Sequence, residues 1–178
     1  MTTRRPHFVW VFALFVFALL AGTPVLAAQA EMDLLASYLG KWDGGGVLVG
    51  GEKPQPFRCR MTMAKGGQLK INYSGRCSLV NMNLSVAGTI AYNDSTGRYE
   101  AAMSSNAGFT GYAVGMKHDD RITFDLQRQQ KDNRGQNVRI GARISLGQGS
   151  ITVDYEVEFN NSGQIMRATV PFSRASAS

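Results

Sequence analysis

The residues best equipped for chemistry are Cys59 and Cys77, in the stretch "FRCRMTMAKGGQLKINYSGRC" (57–77). Such a pair can ligate a metal, cycle between thiol and disulfide, or staple two segments together. A structural zinc site takes about four nitrogen or sulfur ligands. This chain has no further cysteine and two histidines, His7 and His118, of which His7 lies in an apolar N-terminal segment. Redox dithiols usually sit in Cys-x-x-Cys, which is absent here. The staple remains, and the local pattern supports it. Phe57, Cys59, Met61 and Met63 alternate with Arg58, Arg60 and Thr62. Leu69, Ile71, Tyr73, Gly75, Cys77 and Leu79 alternate with Lys70, Asn72, Ser74 and Arg76. A five-residue loop from Gly66 to Lys70 pairs Lys65 with Ile71. Counting outward, Met63 meets Tyr73, Met61 meets Gly75 and Cys59 meets Cys77. Opposed strand residues lie within reach of a disulfide. The sequence therefore predicts a Cys59–Cys77 disulfide, with no bound metal and no cofactor.

A catalytic set is harder to assemble. Any Ser–His pair in the body of the chain would have to use His118, and "KHDD" (117–120) reads as a solvated turn. Asp154, Glu156 and Glu158 share one strand face. The turn "GQGS" (147–150) sets Arg143 opposite Asp154 and Arg139 opposite Glu158, and "NNSG" (160–163) sets Arg167 opposite Glu156. Exposed pairs of this kind are worth about 0–1 kcal/mol each, but together they fix register. The carboxylates are thus read as outer-face ion pairs, and the protein is expected not to be an enzyme. The glycines of "NAGFTGYAVG" (106–115) precede neither a helix nor a lysine, so they cradle no phosphate. Glycine within a strand marks a bend or a close backbone approach, and here it suggests a flexible side or a portal.

These side chains need a scaffold of strands. Turn-forming clusters recur along the chain: "GGEKPQP" (50–56), "KGGQ" (65–68), "NDSTG" (93–97), "KDNRG" (131–135) and those just named. Between them apolar residues alternate, as in Ile151, Val153, Tyr155, Val157 and Phe159, the signature of half-buried antiparallel sheet. Strands are expected near 42–49, 56–64, 69–79, 81–92, 98–105, 108–116, 121–130, 137–146, 150–159 and 164–173. Only Met32 to Leu39 has helical spacing. Short connections make sequential strands neighbours, and closure into a barrel removes exposed edges. The fold expected is all-β: an antiparallel up-and-down barrel of eight to ten strands after a short N-terminal helix. A two-sheet sandwich is the alternative.

The first thirty residues set the compartment. Arg4 and Arg5 precede an uncharged run from Phe8 to Ala21, too short to span a bilayer comfortably, and Ala28-Gln29-Ala30 has the small-x-small form of a cleavage site. Residues 1–30 are read as a signal peptide and 31–178 as one barrel domain, periplasmic or secreted, where a disulfide persists. An uncleaved N-terminal anchor is the alternative. No later segment reads as an integral membrane span. Removing the signal takes two basic residues and leaves a formal charge of +4 on 148 residues. That balance suits an anionic envelope surface or envelope protein; nucleic acid is not an expected partner of an exported chain.

"LGKWDGGG" (39–46) opens the first strand, and its Gly40-Lys41-Trp42 resembles the Gly-x-Trp signature of calycin-type barrels, the lipocalins and their relatives. That resemblance implies a tryptophan closing the barrel floor beneath a ligand cavity. Gly40-x-Trp42-x-Gly44-x-Gly46, followed by "PQPF" (54–57), is also similar to the opening of nitrobindin-type haem barrels. Those hold iron through a late-strand histidine, and residues 121–178 contain none. The strand–cysteine–strand–cysteine pattern is similar to small exported alphaproteobacterial proteins without an assigned activity. The inward faces are rich in adaptable side chains, among them Met61, Met63, Met82, Met103 and Met166. Trp42, Met61, Tyr73, Met82, Tyr92 and Tyr155 are the candidate ligand-binding residues. The leading expectation is an exported, non-catalytic barrel that binds a small apolar or amphipathic ligand. The alternative is an envelope structural or interaction protein with a filled core, acting through the basic hairpin of Arg58, Arg60, Lys70 and Arg76.

Overall fold

One helix precedes ten strands in this computed structural model, which describes residues 24–80, 82–132 and 135–176. Helix α1 is Pro24–Ala36. The strands are β1 (Gly40–Leu48), β2 (Gln55–Lys65), β3 (Lys70–Ser78), β4 (Asn83–Asn93), β5 (Arg98–Ser105), β6 (Thr110–His118), β7 (Arg121–Lys131), β8 (Asn137–Gly147), β9 (Ser150–Phe159) and β10 (Gln164–Arg174). Each pairs antiparallel with its neighbours in sequence, and β1 pairs with β10 to close the barrel. Pairing of β1 with β10 closes the ring, which settles the choice between barrel and sandwich.

The turn lengths set the register. Lys65 pairs with Ile71, and counting outward brings Cys59 opposite Cys77, where the two are joined. Arg139 opposes Glu158, Arg143 opposes Asp154 and Glu156 opposes Arg167. Two of these rows are ion pairs: Arg139 bonds Glu158, and Arg167 Nε lies 2.8 Å from Glu156. The third is corrected. Arg143 turns to its other flank and bonds Asp125 of β7 at 2.6 Å, while Asp154 accepts from the Thr169 hydroxyl at 2.6 Å. Arg143 stands between two acidic residues in one row, and strand pairing alone does not choose between them.

The helix also differs from the expected Met32–Leu39. It begins at Pro24, where a missing N–H costs nothing in the first turn, and the alanines that follow favour helix. It tightens at its end, with Tyr38 N–H donating to Leu35 O and Leu39 N–H to Ala36 O, and Gly40 (φ 128°) turns the chain into β1. The expected signal peptide falls mostly outside the described residues; its last part, from Pro24, lies in α1. No helix among the described residues is long and apolar enough to cross a membrane.

The helix covers the end of the barrel formed by the β2–β3, β4–β5, β6–β7 and β8–β9 turns, here called the floor. Leu35 and Tyr38 are buried there with Trp42, Ile71, Ile90, Tyr99, Ile122, Leu146 and Ile151. Burying a leucine such as Leu35 contributes roughly 1.5–3 kcal/mol. Polar contacts tie the helix down. Glu31 accepts from the Tyr99 hydroxyl of β5 and from Lys117 Nζ of β6 at 2.7 Å. Burial works to raise the Glu31 pKa, but the bonds from Lys117 and Tyr99 outweigh it and leave it lowered.

Two ladders are incomplete. In one, β1 and β10 pair only from Trp42↔Arg174 to Gly44↔Phe172, with an isolated bridge at Val49↔Arg167. Strands β6 and β7 pair only from Gly115↔Phe124 to His118↔Arg121, next to the floor. Above that, Thr110–Val114 leaves the β7 ladder. Gln130 bridges the gap by side chain, accepting from Thr110 N–H at 3.5 Å and donating to Gly108 O at 3.4 Å. The seam falls within the glycine-rich segment.

Candidate functional site

Above the floor the barrel is hollow. The cavity holds about 570 Å³ and extends up to the end formed by the β3–β4, β5–β6 and β7–β8 loops, here called the mouth. Its depth follows from β9, where Ile151 through Phe159 line the wall. Eight rises of about 3.3 Å along a strand tilted by about 40° give roughly 20 Å.

Small residues make room for large ones within this wall. Tyr73 of β3 opposes Gly88 of β4, and a Cβ on Gly88 would lie 2.6 Å from the tyrosine ring and 2.2 Å from the Ala102 carbonyl. Tyr155 of β9 is flanked by Ala142 of β8 and Ala168 of β10. Gly111 of β6 admits Leu126 from across the seam, since a Cβ there would meet the leucine at 2.5 Å. The Cys59–Cys77 disulfide is itself part of the wall.

The six residues singled out from the sequence divide by height. Met61, Tyr73 and Tyr155 lie on the cavity wall. Met82 also borders it, but at the mouth and 51 % exposed, because β4 starts at Asn83 and Met82 closes the preceding turn by accepting from Leu79 N–H at 2.9 Å. Tyr92 is not on the wall. It lies at the floor opposite Tyr99, the rings meeting edge-on at 5.3 Å. Trp42 is likewise beneath the cavity: 1 % exposed, stacked on Tyr38, its Nε1–H donating to Tyr38 O at 2.9 Å and the Arg174 guanidinium 4.7 Å above its ring.

Almost all of the wall is apolar, with few polar groups. The Tyr73 and Tyr155 hydroxyls have no hydrogen-bond partner among the described residues. Burial pushes the Tyr73 phenol up to about 12 and raises Tyr155 as well. Both are neutral donors at ordinary pH. Arg128 of β7 was not singled out from the sequence, yet it borders the cavity near the mouth. The signal was present: Ile122, Phe124 and Leu126 point inward, and the same alternation carries Arg128 to that face. The arrangement can shelter an apolar body and offer a few hydrogen bonds. Among the described residues no three His, Cys, Asp or Glu side chains gather into a metal site, and His118 lies at the floor, away from the mouth.

Known structures share this architecture. Rv2717c from M. tuberculosis superposes with a TM-score of 0.63 at 16 % identity, over 84 % of this chain and 98 % of that one. The S-type phycobiliprotein lyase CPES from Guillardia theta superposes with a TM-score of 0.54 at 10 % identity, over 87 % of this chain and 98 % of that one. The likeness is one of fold, the closed ten-stranded antiparallel barrel. No family model matches the chain, and no curated protein matches it significantly. At these identities the likeness extends to the fold alone.

Proposed function

We propose that the protein is an exported, non-catalytic carrier whose calycin-like barrel holds one small apolar or amphipathic molecule. The observation that carries this reading is the cavity itself. Its volume of about 570 Å³ falls in the range of about 300–1,000 Å³ typical of small-molecule sites, and its wall has the usual make-up of apolar side chains and a few placed polar groups. Flexible methionines on that wall suit an irregular or variable ligand. The N-terminal sequence pattern and the disulfide support export. That one neighbour is a lyase is a fact about that neighbour.

Native mass spectrometry of gently purified protein should find a co-purifying small molecule, and an apolar environment-sensitive dye should bind saturably. Ala142→Trp and Ala168→Trp, which fill the space beside Tyr155, should abolish dye uptake while the far-ultraviolet circular dichroism stays that of a barrel. Absence of saturable binding to the wild-type protein would sink the carrier reading.

A second reading has its own observation. Arg60 and Arg76 oppose each other across the outer face of β2 and β3, in an external groove of about 550 Å³ that also presents Thr62, Ser74, Ser104 and Asn106. Among the described residues the one ion pair these two arginines make is Arg60 with Asp43, at 3.8 Å. Such a groove fits the surface-interaction alternative. Capture of an envelope component that is lost in Arg60→Ala/Arg76→Ala, with an empty barrel, would favour it.

A further inference from the structure

Arg128 is anomalous for a wall of this kind. Its strand partner is Ile140, 4 % exposed and pointing inward. Arg128 shares that phase and borders the cavity. No carboxylate or other partner engages its guanidinium among the described residues. The outward arginines nearby differ: Arg139, Arg143 and Arg167 each bond a carboxylate. Its side chain is exposed at the mouth, so water solvates the charge in the empty barrel, and an anionic head group entering there would take the place of that water.

The surroundings say what would fit. On one side of Arg128 backbone pairing is missing, because the β6–β7 ladder ends at Gly115↔Phe124 and only side chains bridge the seam above it. Arg128 is exposed beside this seam, so a head group can reach it while keeping contact with water. Below it the wall is apolar through Leu126, Ala142 and Ile144. The other charges bordering the cavity are Arg60 and Arg76, from the outer face, and Asp132 at the mouth. Asp132 is engaged by its own loop, accepting from Gln136 N–H at 2.9 Å. The balance favours a negative head. A planar guanidinium matches a planar carboxylate through two parallel hydrogen bonds.

We propose that the ligand is a long-chain carboxylate, its head group held by Arg128 at the β6–β7 seam and its chain running down the cavity toward the floor. This rests on the carrier reading and narrows it. The Tyr155 hydroxyl, one row deeper than the Ile140–Val157 pair, serves any oxygen carried further along the chain.

Three probes with one tail and different heads test it: palmitate, hexadecanol and hexadecylamine, each displacing an apolar dye at a pH where the acid and the amine are ionised. Palmitate should bind about tenfold tighter than hexadecanol, a difference of about 1.4 kcal/mol. Arg128→Met keeps an apolar stem and should erase that preference while leaving hexadecanol unchanged. Arg128→Glu should reverse it in favour of hexadecylamine. The side chain is exposed, so both variants should fold. If palmitate and hexadecanol bind the wild type equally, or Arg128→Met weakens both alike, the head-group assignment is wrong and the carrier reading stands. Failure of all three probes and of the dye overturns both.

Discussion

Replacing Trp42 tests the division of the barrel into a packed floor and a hollow above it. The side chain is 1 % exposed and makes three separate kinds of contact: stacking on Tyr38 at 6.2 Å, the Nε1–H bond to Tyr38 O at 2.9 Å, and the Arg174 cation at 4.7 Å. Trp42→Ala should cost about 3–5 kcal/mol, the usual range for deleting a buried aromatic. Within that range, the orphaned Tyr38 carbonyl accounts for about 1 kcal/mol and the lost cation–π contact for about 0.5–1 kcal/mol. Trp42→Phe keeps a ring and should cost roughly half as much. In a domain of this size each kcal/mol lowers Tm by about 2–4 °C, so the alanine variant should melt roughly 6–20 °C lower. Urea unfolding followed by circular dichroism gives the free energies, with an unchanged m value confirming that the same fold unfolds. Dye affinity, measured where both variants are folded, should stay within about twofold of wild type, because the ring lies beneath the cavity. A cost below about 1 kcal/mol for the alanine variant would refute the packed floor, and selective loss of dye binding in it would refute the division.

Thiol titration of the denatured, unreduced protein should find no free thiol, and Cys59→Ala/Cys77→Ala should lose about 3 kcal/mol for a loop closed over 18 residues. The Glu31 carboxyl has a lowered folded-state pKa, so its contribution is present above the ordinary carboxylate value of about 4.3 and is lost as pH falls through the folded value. Glu31→Gln should therefore flatten the acid limb of a Tm-against-pH curve; an unchanged limb would show that the helix tether is unimportant. Tyr73 has a raised pKa of about 12, so stability should decline as pH rises from about 10 toward that value, and Tyr73→Phe should lessen the decline. Gly88→Val should destabilise by about 1–3 kcal/mol, read by urea unfolding, because its side chain would meet the Ala102 carbonyl and the Tyr73 ring.

The sequence reading succeeded where the determinants are local. Hairpin register depends on turn length and on which face is apolar, so Cys59↔Cys77 and Arg139↔Glu158 follow from counting across single turns. Alternation likewise separates inside from outside, and Met61, Tyr73 and Tyr155 face inward as it requires. Height within the barrel is a different quantity. It depends on the accumulated stagger around all ten strands, which no single hairpin reveals. That is why Tyr92, inward by phase, packs on Tyr99 at the floor instead of bordering the cavity. The Arg143 side chain chose between two carboxylates in one row, a choice made by rotamers and not by register. Arg128 is legible in phase from the alternation of Ile122, Phe124 and Leu126, but phase alone does not mark an arginine as part of a site. The Glu31–Tyr99–Lys117 tether joins residues up to 86 positions apart, beyond any local pattern.

Ten is an even number, and in an up-and-down barrel that parity decides where the chain enters and leaves. Gly40 and Arg174 meet at the floor, close enough that a Cβ on the glycine would lie 3.1 Å from the Arg174 guanidinium. Whatever is joined to either end of the barrel, whether a leader, a tag or a solid support, is therefore attached on the side opposite the mouth. An eleventh strand would bring one attachment point up beside the opening. With ten, immobilisation through the C-terminus presents every molecule mouth outward, so a surface-bound sensor made this way should retain its full binding capacity.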